Sequence, residues 1–275
     1  MRKPAANADH PPGKPKGHPK EHLPLSQTDA RAARVALERL LGTDGPTFPA
    51  GFGDRVETFV RLLLDANTRL NLTRIVEPDA VARLHLLDAL SAVPLLDSLA
   101  PVRAIDLGSG GGVPGIVLAI ARPDVSWTLV DSIRKKAGAM RGFIAALGLP
   151  NVSVIAERAE ILGHDPEHRE RVDLVAARAC AALPVLAEYA LPLVRIGGTA
   201  LAWKGLIGDQ ELAKGRAAAA TLGADLEVRE TGSAALGDHR FVVMHKVAAT
   251  PHRFPRRPGE PARQPLGDSA DFPRR

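Results

Sequence analysis

Cysteine is almost absent from this sequence: Cys180 is the only one in 275 residues. A single thiol forms neither an internal disulfide nor a thiolate metal cluster, which excludes disulfide-stapled secreted domains and cysteine zinc sites. Cys180 lies in an apolar-rich run, and this context predicts that its side chain packs in the interior. His85 and Asp88 are candidate metal ligands, but no further ligands cluster with them in the sequence, so we expect no metal site.

Long hydrophobic runs are absent as well. No apolar stretch approaches the roughly 18 residues that a membrane-spanning helix needs, and the N-terminal Met-Arg-Lys-Pro-Ala-Ala-Asn lacks the apolar core of a secretory signal. We therefore expect no membrane partner and a cytoplasmic location. The composition, 45% hydrophobic and 24% charged residues, is ordinary for a globular protein with a sizeable core.

The net charge of +5 is concentrated at the two ends of the chain. Residues 1–25 contain five basic and two acidic residues, and residues 250–275 contain six basic and three acidic ones, which leaves the middle near neutrality. Both ends are dense in proline, so we expect an irregular basic arm over 1–25 and an irregular basic Pro/Arg-rich tail over 250–275. Such segments suit contact with a polyanion such as RNA, and they are equally typical of solubilising tails.

Hydrophobic periodicity divides the middle of the chain into two parts. Residues 26–100 show three helical stripes of apolar residues, separated by turn-forming stretches, and predict a helical cap. Residues 101–249 alternate between predicted strands and helices, which indicates a mainly parallel sheet with helices on both faces. The last two strands have no helix between them, so we expect an antiparallel hairpin at the sheet edge. The predicted strands cover residues 102–106, 126–130, 152–156, 172–176, 198–203, 226–230 and 241–247.

The most informative motif is Asp-Leu-Gly-Ser-Gly-Gly-Gly-Val-Pro-Gly over residues 106–115, directly after the first predicted strand. In an open parallel sheet, ligands bind outside the carboxyl ends of the strands. Glycine residues at this point allow a sharp turn and a close approach of the ligand. Asp131 closes the second predicted strand, where its two oxygens can accept hydrogen bonds from both hydroxyls of a ribose.

Two ligands fit this motif. Gly110, Gly112 and Gly115 satisfy the dinucleotide pattern Gly-x-Gly-x-x-Gly, with Asp131 at a suitable distance, which makes an NAD(P)-dependent oxidoreductase one interpretation. Asp106 favours S-adenosylmethionine instead. A carboxylate beside the loop repels a pyrophosphate, whereas it attracts the cationic sulfonium and amino groups of the methyl donor. We therefore favour a methyltransferase.

Three further residues are predicted at the same edge of the sheet. Ala159 and Glu160 follow the third strand, where an adenine could lie, and Arg178 follows the fourth, near the entry for a methyl acceptor. Taken alone, Glu160 would be an ordinary solvated helix start and Arg178 a surface charge. Their shared position at the carboxyl ends of the strands favours a role in binding.

In their order and spacing, the motifs resemble those of the small-subunit ribosomal RNA methyltransferase G family, also called glucose-inhibited division protein B. The resemblance covers residues 55–247, and the Gly-Val-Pro-Gly-Ile ending of the glycine loop makes it specific. It implies a class I S-adenosylmethionine-dependent methyltransferase fold: a Rossmann-like, mainly parallel seven-stranded sheet with a C-terminal antiparallel hairpin and an N-terminal helical cap. The matching segments are Asn71-Leu72-Thr73, His85-Leu86-Leu87-Asp88, residues 105–116, Leu129-Val130-Asp131-Ser132, Ala177-Arg178-Ala179 and Lys204-Gly205.

The resemblance also implies a reaction. It is methylation of guanine N7 in the 530 loop of 16S ribosomal RNA, at position 527 in the usual rRNA numbering, with S-adenosylmethionine as donor. The implied partner is 16S rRNA or the small ribosomal subunit. Together with the motif analysis, it gives as candidate donor-binding residues Asp106, Gly108, Gly110, Val113, Asp131, Ala159, Glu160 and Arg178.

Guanine N7 carries a lone pair and no proton, so its methylation needs no general base and depends on positioning. We expect Arg178 to be the catalytic residue, as an orienter of phosphate or guanine. Asn71 is equally a candidate turn or cap residue, and His85 a candidate structural group. A protein that binds RNA without catalysis is the remaining alternative. The candidate substrate-binding residues are Asn71, His85, Arg158 and Lys204.

Overall fold

A seven-stranded sheet forms the centre of the molecule. The computed structural model describes residues 27–43 and 45–267. Its strands are β1 (Arg103–Leu107), β2 (Ser126–Val130), β3 (Val152–Ile155), β4 (Val172–Arg178), β5 (Val194–Lys204), β6 (Ala224–Glu230) and β7 (Arg240–Lys246). Their order is β3-β2-β1-β4-β5-β7-β6. The first five strands are parallel, and β7 runs antiparallel to both of its neighbours. The predicted mainly parallel sheet with a C-terminal hairpin at its edge is confirmed.

Helices precede the sheet and cover both of its faces. Before β1 the chain forms α1 (Gln27–Leu41), α2 (Phe52–Leu70), α3 (Pro78–Val81), a π-helical stretch (Ala82–Leu87), α4 (Asp88–Leu90) and α5 (Val93–Leu99). After β1 follow α6 (Gly115–Ala121), α7 (Arg134–Leu147), α8 (Ala159–Leu162), α9 (Leu183–Ala190), α10 (Asp209–Thr221), a 3₁₀ turn (Ala234–Leu236) and α11 (Glu260–Arg263). Among the helices in the described ranges, none is both long and apolar enough to cross a membrane.

Alternate residues of the central strands belong to two different apolar layers, as the two-residue period of a strand requires. Ala104 and Leu174 pack in the layer that contains the N-terminal helices, α6 and α7. Ile105 and Val175 pack in the opposite layer, with α8, α9 and α10. The N-terminal helices therefore share one continuous core with a face of the sheet, directly above the ends of β1 and β4.

The C-terminal segment corrects one expectation. Residues 250–267 were expected to be irregular, but they contain the short helix α11 and lie against the body of the molecule. Phe254 and Leu266 are each 4% exposed and pack with the layer of α8, α9 and α10. These apolar side chains stand among prolines, and their burial holds the segment against the sheet domain, which the average composition of the segment does not indicate. The predicted arm over 1–25 and residues 268–275 of the predicted tail lie outside the described residues.

Candidate functional site

The glycine loop after β1 is held by backbone hydrogen bonds to the adjacent strand. The amides of Gly108 and Ser109 both donate to the carbonyl of Val130, over 2.9 and 3.0 Å. Gly108 has a φ of +72°, and a Cβ at this residue would lie 2.9 Å from Sγ of Cys180. Backbone conformation and lack of space both require glycine here. The loop therefore presents bare backbone at the carboxyl end of β1.

Asp106 was expected beside this loop as a donor-binding residue, but it lies beneath the loop. Its side chain is fully buried, and Oδ2 accepts a hydrogen bond of 2.9 Å from the amide of Gly115. Desolvation raises the pKa of Asp106 to about 6. Asp106 belongs to neither of the cavities described below, because its strand position directs it to the side of α6. Its observed contact holds the loop onto the first turn of that helix.

A cavity of about 280 Å³ opens where β1, β2 and β4 end. We call it the donor-side cavity. Its acidic part is Asp131, whose Oδ2 accepts from the amide of Gly110 (3.0 Å) and whose Oδ1 accepts from the amide of Ile133 (2.8 Å). Each carboxylate oxygen keeps a second lone pair for a ligand donor. The predicted residues that line this cavity are Gly108, Asp131, Arg158, Ala159 and Glu160.

Cys180 corrects another expectation, because it is exposed and lines the donor-side cavity instead of packing in the core. The sharp turn after β4, with Ala179 at a φ of +52°, brings it over the glycine loop. Desolvation of the thiol by the surrounding wall, followed by the negative charges of Asp106 and Asp131, raises the pKa of Cys180 to about 11. At neutral pH the group is a neutral thiol, which does not act as a nucleophile.

A larger cavity of about 890 Å³ adjoins the first and lies between the N-terminal helices and the sheet. We call it the acceptor-side cavity. Gly108, Lys136 and Ala179 line both cavities, so the two are neighbours at the glycine loop. The predicted residues that line it are His85, Gly108, Gly110, Val113, Arg178 and Lys204.

Arg178 is fixed at the wall of the acceptor-side cavity by three contacts with the N-terminal helices. Nη1 donates to the carbonyl of Leu84 (2.6 Å) and to Oδ2 of Asp88 (3.2 Å), and Nη2 donates to Nδ1 of His85 (3.0 Å). Asp88 is 2% exposed, and its Oδ1 lies 2.8 Å from Nδ1 of His239. A guanidinium with this many partners is held in one orientation.

His85 is a neutral link in the same network. Arginine only donates, so Nδ1 of His85 must be an acceptor, and the proton of the neutral ring is therefore on Nε2. Nε2 lies 2.7 Å from Oγ1 of Thr73, to which it donates. Desolvation, together with the positive charge of Arg178, lowers the pKa of His85 to about 3. Because both of its ring nitrogens form hydrogen bonds, His85 has a structural role in the wall of the acceptor-side cavity.

The other three predicted substrate-binding residues, Asn71, Lys204 and Arg158, lie in different places. Asn71 is the C-cap of α2, with a φ of +49°, and does not line either cavity, which supports its interpretation as a cap residue. Lys204 lines the acceptor-side cavity, where its ammonium lies 2.7 Å from Oε1 of Glu211 and donates to the carbonyl of Ala181. Arg158 lies on the donor side, away from the larger cavity.

Several residues that line the acceptor-side cavity were not predicted from the sequence, among them Thr73, Arg74, Lys136, Trp203 and His239. Thr73 and Trp203 were part of matching or predicted segments but received no role, and Trp203 donates to the carbonyl of Asp88 over 2.7 Å. Lys136 and His239 carry no local signal, because only the fold brings them to the cavity. Within residues 27–43 and 45–267, no group of three or more His, Cys, Asp or Glu side chains is arranged to hold a metal ion.

Comparison with known proteins identifies the relatives of this chain. A family model described as rRNA small subunit methyltransferase G matches residues 54–236. The ribosomal RNA small subunit methyltransferase G of Deinococcus deserti is 43% identical over 219 residues, which cover 79% of this chain and 90% of the relative. That of Rubrobacter xylanophilus is 40% identical over 243 residues, which cover 86% of this chain and 92% of the relative.

A solved structure shares the fold at low sequence identity. The O-methyltransferase from Bacillus cereus, in complex with S-adenosylhomocysteine, is 17% identical and has a TM-score of 0.51. The match covers 69% of this chain and 91% of that protein. The predicted class I methyltransferase fold is confirmed by this likeness together with the observed strand order.

Proposed function

This chain belongs to the ribosomal RNA small subunit methyltransferase G family, and from that premise we propose that it transfers a methyl group from S-adenosylmethionine to N7 of a guanine in the 530 loop of 16S rRNA. Family membership makes the chain a methyltransferase, so both the NAD(P)-dependent oxidoreductase and the non-catalytic RNA-binding protein are set aside. The observation that carries the proposal is that the two cavities adjoin each other at the glycine loop, because a donor methyl and an acceptor base must meet at such a place.

The residues of the donor-side cavity fit S-adenosylmethionine. Beside this cavity, at Gly110 on the acceptor side of the loop, a built Cβ would meet only the carbonyl oxygen of Gly108, at 3.8 Å, so open space lies over the loop. Asp131 and Glu160 supply acceptor oxygens for a ribose and a base, and Ala159 adds a small apolar surface. When bound, S-adenosylmethionine supplies a methyl group on a cationic sulfur. The carboxylates of this wall favour a cation over a pyrophosphate.

Arg178 is the residue that we assign to the guanine. Its three observed hydrogen bonds use three of the five guanidinium N–H groups, and two remain for a ligand. A guanine presents N7 and O6 as neighbouring acceptors. Because the N7 lone pair must stay free to attack the methyl carbon, Arg178 is assigned to O6 or to a phosphate.

The side chains near the cavity agree with a reaction without proton transfer. His85 stays neutral down to a pKa of about 3 and has both ring nitrogens engaged, so it does not serve as a base at neutral pH. The Cys180 thiol, with its pKa raised to about 11, is protonated there. Catalysis then depends on holding the two reactants in line, and such orientation alone accelerates a reaction strongly.

The proposed partner is 16S rRNA or the small ribosomal subunit. Arg74, Lys136, Arg178 and Lys204 all line the acceptor-side cavity, and a cationic cavity favours a phosphate-bearing substrate. Its volume of about 890 Å³ accommodates a base removed from its stack. This partner also places the chain in the cytoplasm, where bacterial ribosomes are assembled.

Methyl transfer to defined RNA tests the proposal. The protein is incubated with radiolabelled S-adenosylmethionine and with small subunits purified from a strain that lacks the corresponding activity, and the label is mapped by cleavage chemistry specific for N7-methylguanine. We expect label at one guanine of the 530 loop. Label at another atom or loop, or on protein only, contradicts the proposed specificity. Parallel incubation with naked 16S rRNA identifies which of the two partners is the substrate.

A further inference from the structure

The C-terminal segment, residues 248–267, follows the part of the chain that the family model matches and is bound firmly to the sheet domain. Arg169 donates from Nη1 to the carbonyl of Phe254 and from Nη2 to that of Thr250, each over 2.8 Å. Arg256 forms a bidentate ion pair with Glu188 of α9, with Nη2 2.6 Å from Oε2 and Nε 3.0 Å from Oε1. Glu188 is fully buried, so this charge pair is a strong anchor.

The same segment packs tightly against α8, which forms part of the donor-side wall. Phe254 belongs to the apolar layer that contains Ala159 and Leu162. A Cβ on Gly163, at the end of α8, would lie only 2.7 Å from Cγ of Pro255. His164 adds a hydrogen bond of 2.6 Å between Nε2 and the carbonyl of Pro255. The position of α8 is thus set from outside by the segment.

One contact reaches the donor-side cavity itself. The amide of Gly259 donates to Oε1 of Glu160 over 2.8 Å. Glu160 is 3% exposed, and it lines both the donor-side cavity and a groove of about 440 Å³ bordered by the C-terminal segment. A single carboxylate therefore faces the proposed donor and the segment at the same time.

We propose that the C-terminal segment is a functional part of the donor site, in which the Gly259 amide positions the Glu160 carboxylate for the adenosine of S-adenosylmethionine. This inference rests on the proposed function. A carboxylate held by one hydrogen bond loses less rotamer freedom when it accepts a second one, so its affinity for the ligand rises. Gly259 is a positioning residue, and Arg256 acts through it by fixing the segment.

Positioning of this kind has a reciprocal consequence. If an ordered segment increases donor affinity by some factor, then bound donor stabilises the segment by the same factor. Hydrogen exchange of the wild-type protein, measured with and without saturating S-adenosylhomocysteine, tests this without any substitution. We expect amide exchange in peptides covering 254–264 to slow about tenfold, whereas peptides from α1 remain unchanged. Unchanged exchange in 254–264 would overturn the proposal.

A double-mutant cycle tests the assignment to Glu160. Arg256→Ala releases the anchor, and Arg257→Ala removes the same charge from the exposed neighbouring residue of the segment. Isothermal titration with S-adenosylhomocysteine should give about tenfold weaker binding for Arg256→Ala and wild-type binding for Arg257→Ala. In a Glu160→Ala background, Arg256→Ala should have no additional effect, because the contact through which it acts is already lost.

The outcomes separate this inference from the proposed function. If the wild type binds S-adenosylhomocysteine and Arg256→Ala lowers the unfolding temperature without changing the Kd, the segment is a stabilising element only and the inference fails. If the effects of Arg256→Ala and Glu160→Ala on the Kd are additive, Glu160 is not the link. If the wild type does not bind the ligand at all, the proposed function itself fails.

Discussion

Arg178, at the end of β4, donates a hydrogen bond of 3.0 Å to Nδ1 of His85, which lies in the π-helical stretch between α3 and α4. The bond joins the N-terminal helices to the sheet at the wall of the acceptor-side cavity. Only a neutral imidazole accepts it, because both ring nitrogens of a protonated histidine are donors. The orientation of the arginine is thereby tied to the charge state of the histidine.

We expect His85 to make the protein less stable in acid. Its pKa is lowered to about 3 in the folded state, mainly by desolvation, while the unfolded value is near 6.5. The unfolded state therefore binds the extra proton first, and the stability contribution, complete above pH 6.5, is lost as the pH falls towards 3. Between pH 6 and 4 the loss approaches about 1.4 kcal/mol per pH unit.

Urea unfolding at a series of pH values measures this effect. The comparison variant is His85→Asn, whose amide oxygen can take the place of Nδ1 and accept from Arg178 without titrating. The difference in unfolding free energy between wild type and variant isolates His85 from Asp106, whose raised pKa gives a dependence of opposite sign. A difference that does not change between pH 7 and 4 would show that His85 does not titrate in this way.

Arg178→Lys should lower methyl transfer about 100-fold, because an ammonium cannot replace the planar fork that contacts Leu84, His85 and Asp88 together. Single-turnover kinetics with small subunits provide the rate. Lys135→Arg, the reverse exchange on the exposed face of α7, is the control and should leave the rate unchanged. A near-normal rate for Arg178→Lys would show that the guanidinium is not needed in the catalytic step.

Gly108→Ala should weaken donor binding more than tenfold. The residue has a φ of +72°, and the new methyl group would lie 2.9 Å from Sγ of Cys180. Gly138→Ala is the matched control, because a Cβ built on Gly138 in α7 meets nothing within 4 Å beyond its chain neighbours and its own helix backbone, and alanine favours a helix. Equilibrium binding of S-adenosylhomocysteine distinguishes the two variants. Equal affinities would contradict the assigned place of the loop.

Asp131→Asn should also weaken donor binding, by about tenfold. An amide offers one acceptor oxygen, whereas the carboxylate serves the amides of Gly110 and Ile133 with separate oxygens and keeps lone pairs for a ribose. Asp124→Asn, on an exposed loop, controls for the loss of one negative charge. Titration with adenosine as well as S-adenosylhomocysteine should show the loss for both ligands, since both carry the ribose. A loss confined to S-adenosylhomocysteine would place Asp131 elsewhere.

The sheet and most of the donor-side cavity follow from local pattern in the sequence. Strand–helix alternation predicts parallel strands, and the carboxyl ends of parallel strands fall at one edge, so Gly108, Asp131 and Ala159 come together without knowledge of tertiary contacts. The buried position of Asp106 could not be predicted, because the sequence pattern locates the end of β1 but not the first turn of α6 that packs above it.

Contacts between distant parts of the chain account for the remaining differences. His239 meets Asp88 across 151 residues, and Arg256 meets Glu188 across 68 residues. Neither His239 nor Glu188 belongs to a local motif. The exposure of Cys180 depends on a turn at Ala179 with positive φ, which alanine rarely adopts and sequence pattern does not indicate. In the C-terminal segment, the high content of proline and arginine predicted an irregular tail, although the two apolar side chains Phe254 and Leu266 hold it against the sheet domain.

The hydrogen bond between Gly259 and Glu160 also has a consequence for biosynthesis. A protein is made from its N-terminus, so all seven strands and the glycine loop are synthesised, and can begin to fold, before residue 259 is added to the chain. The wall around Glu160 is therefore completed late, when the C-terminal segment has followed the sheet out of the ribosome and packed against α8.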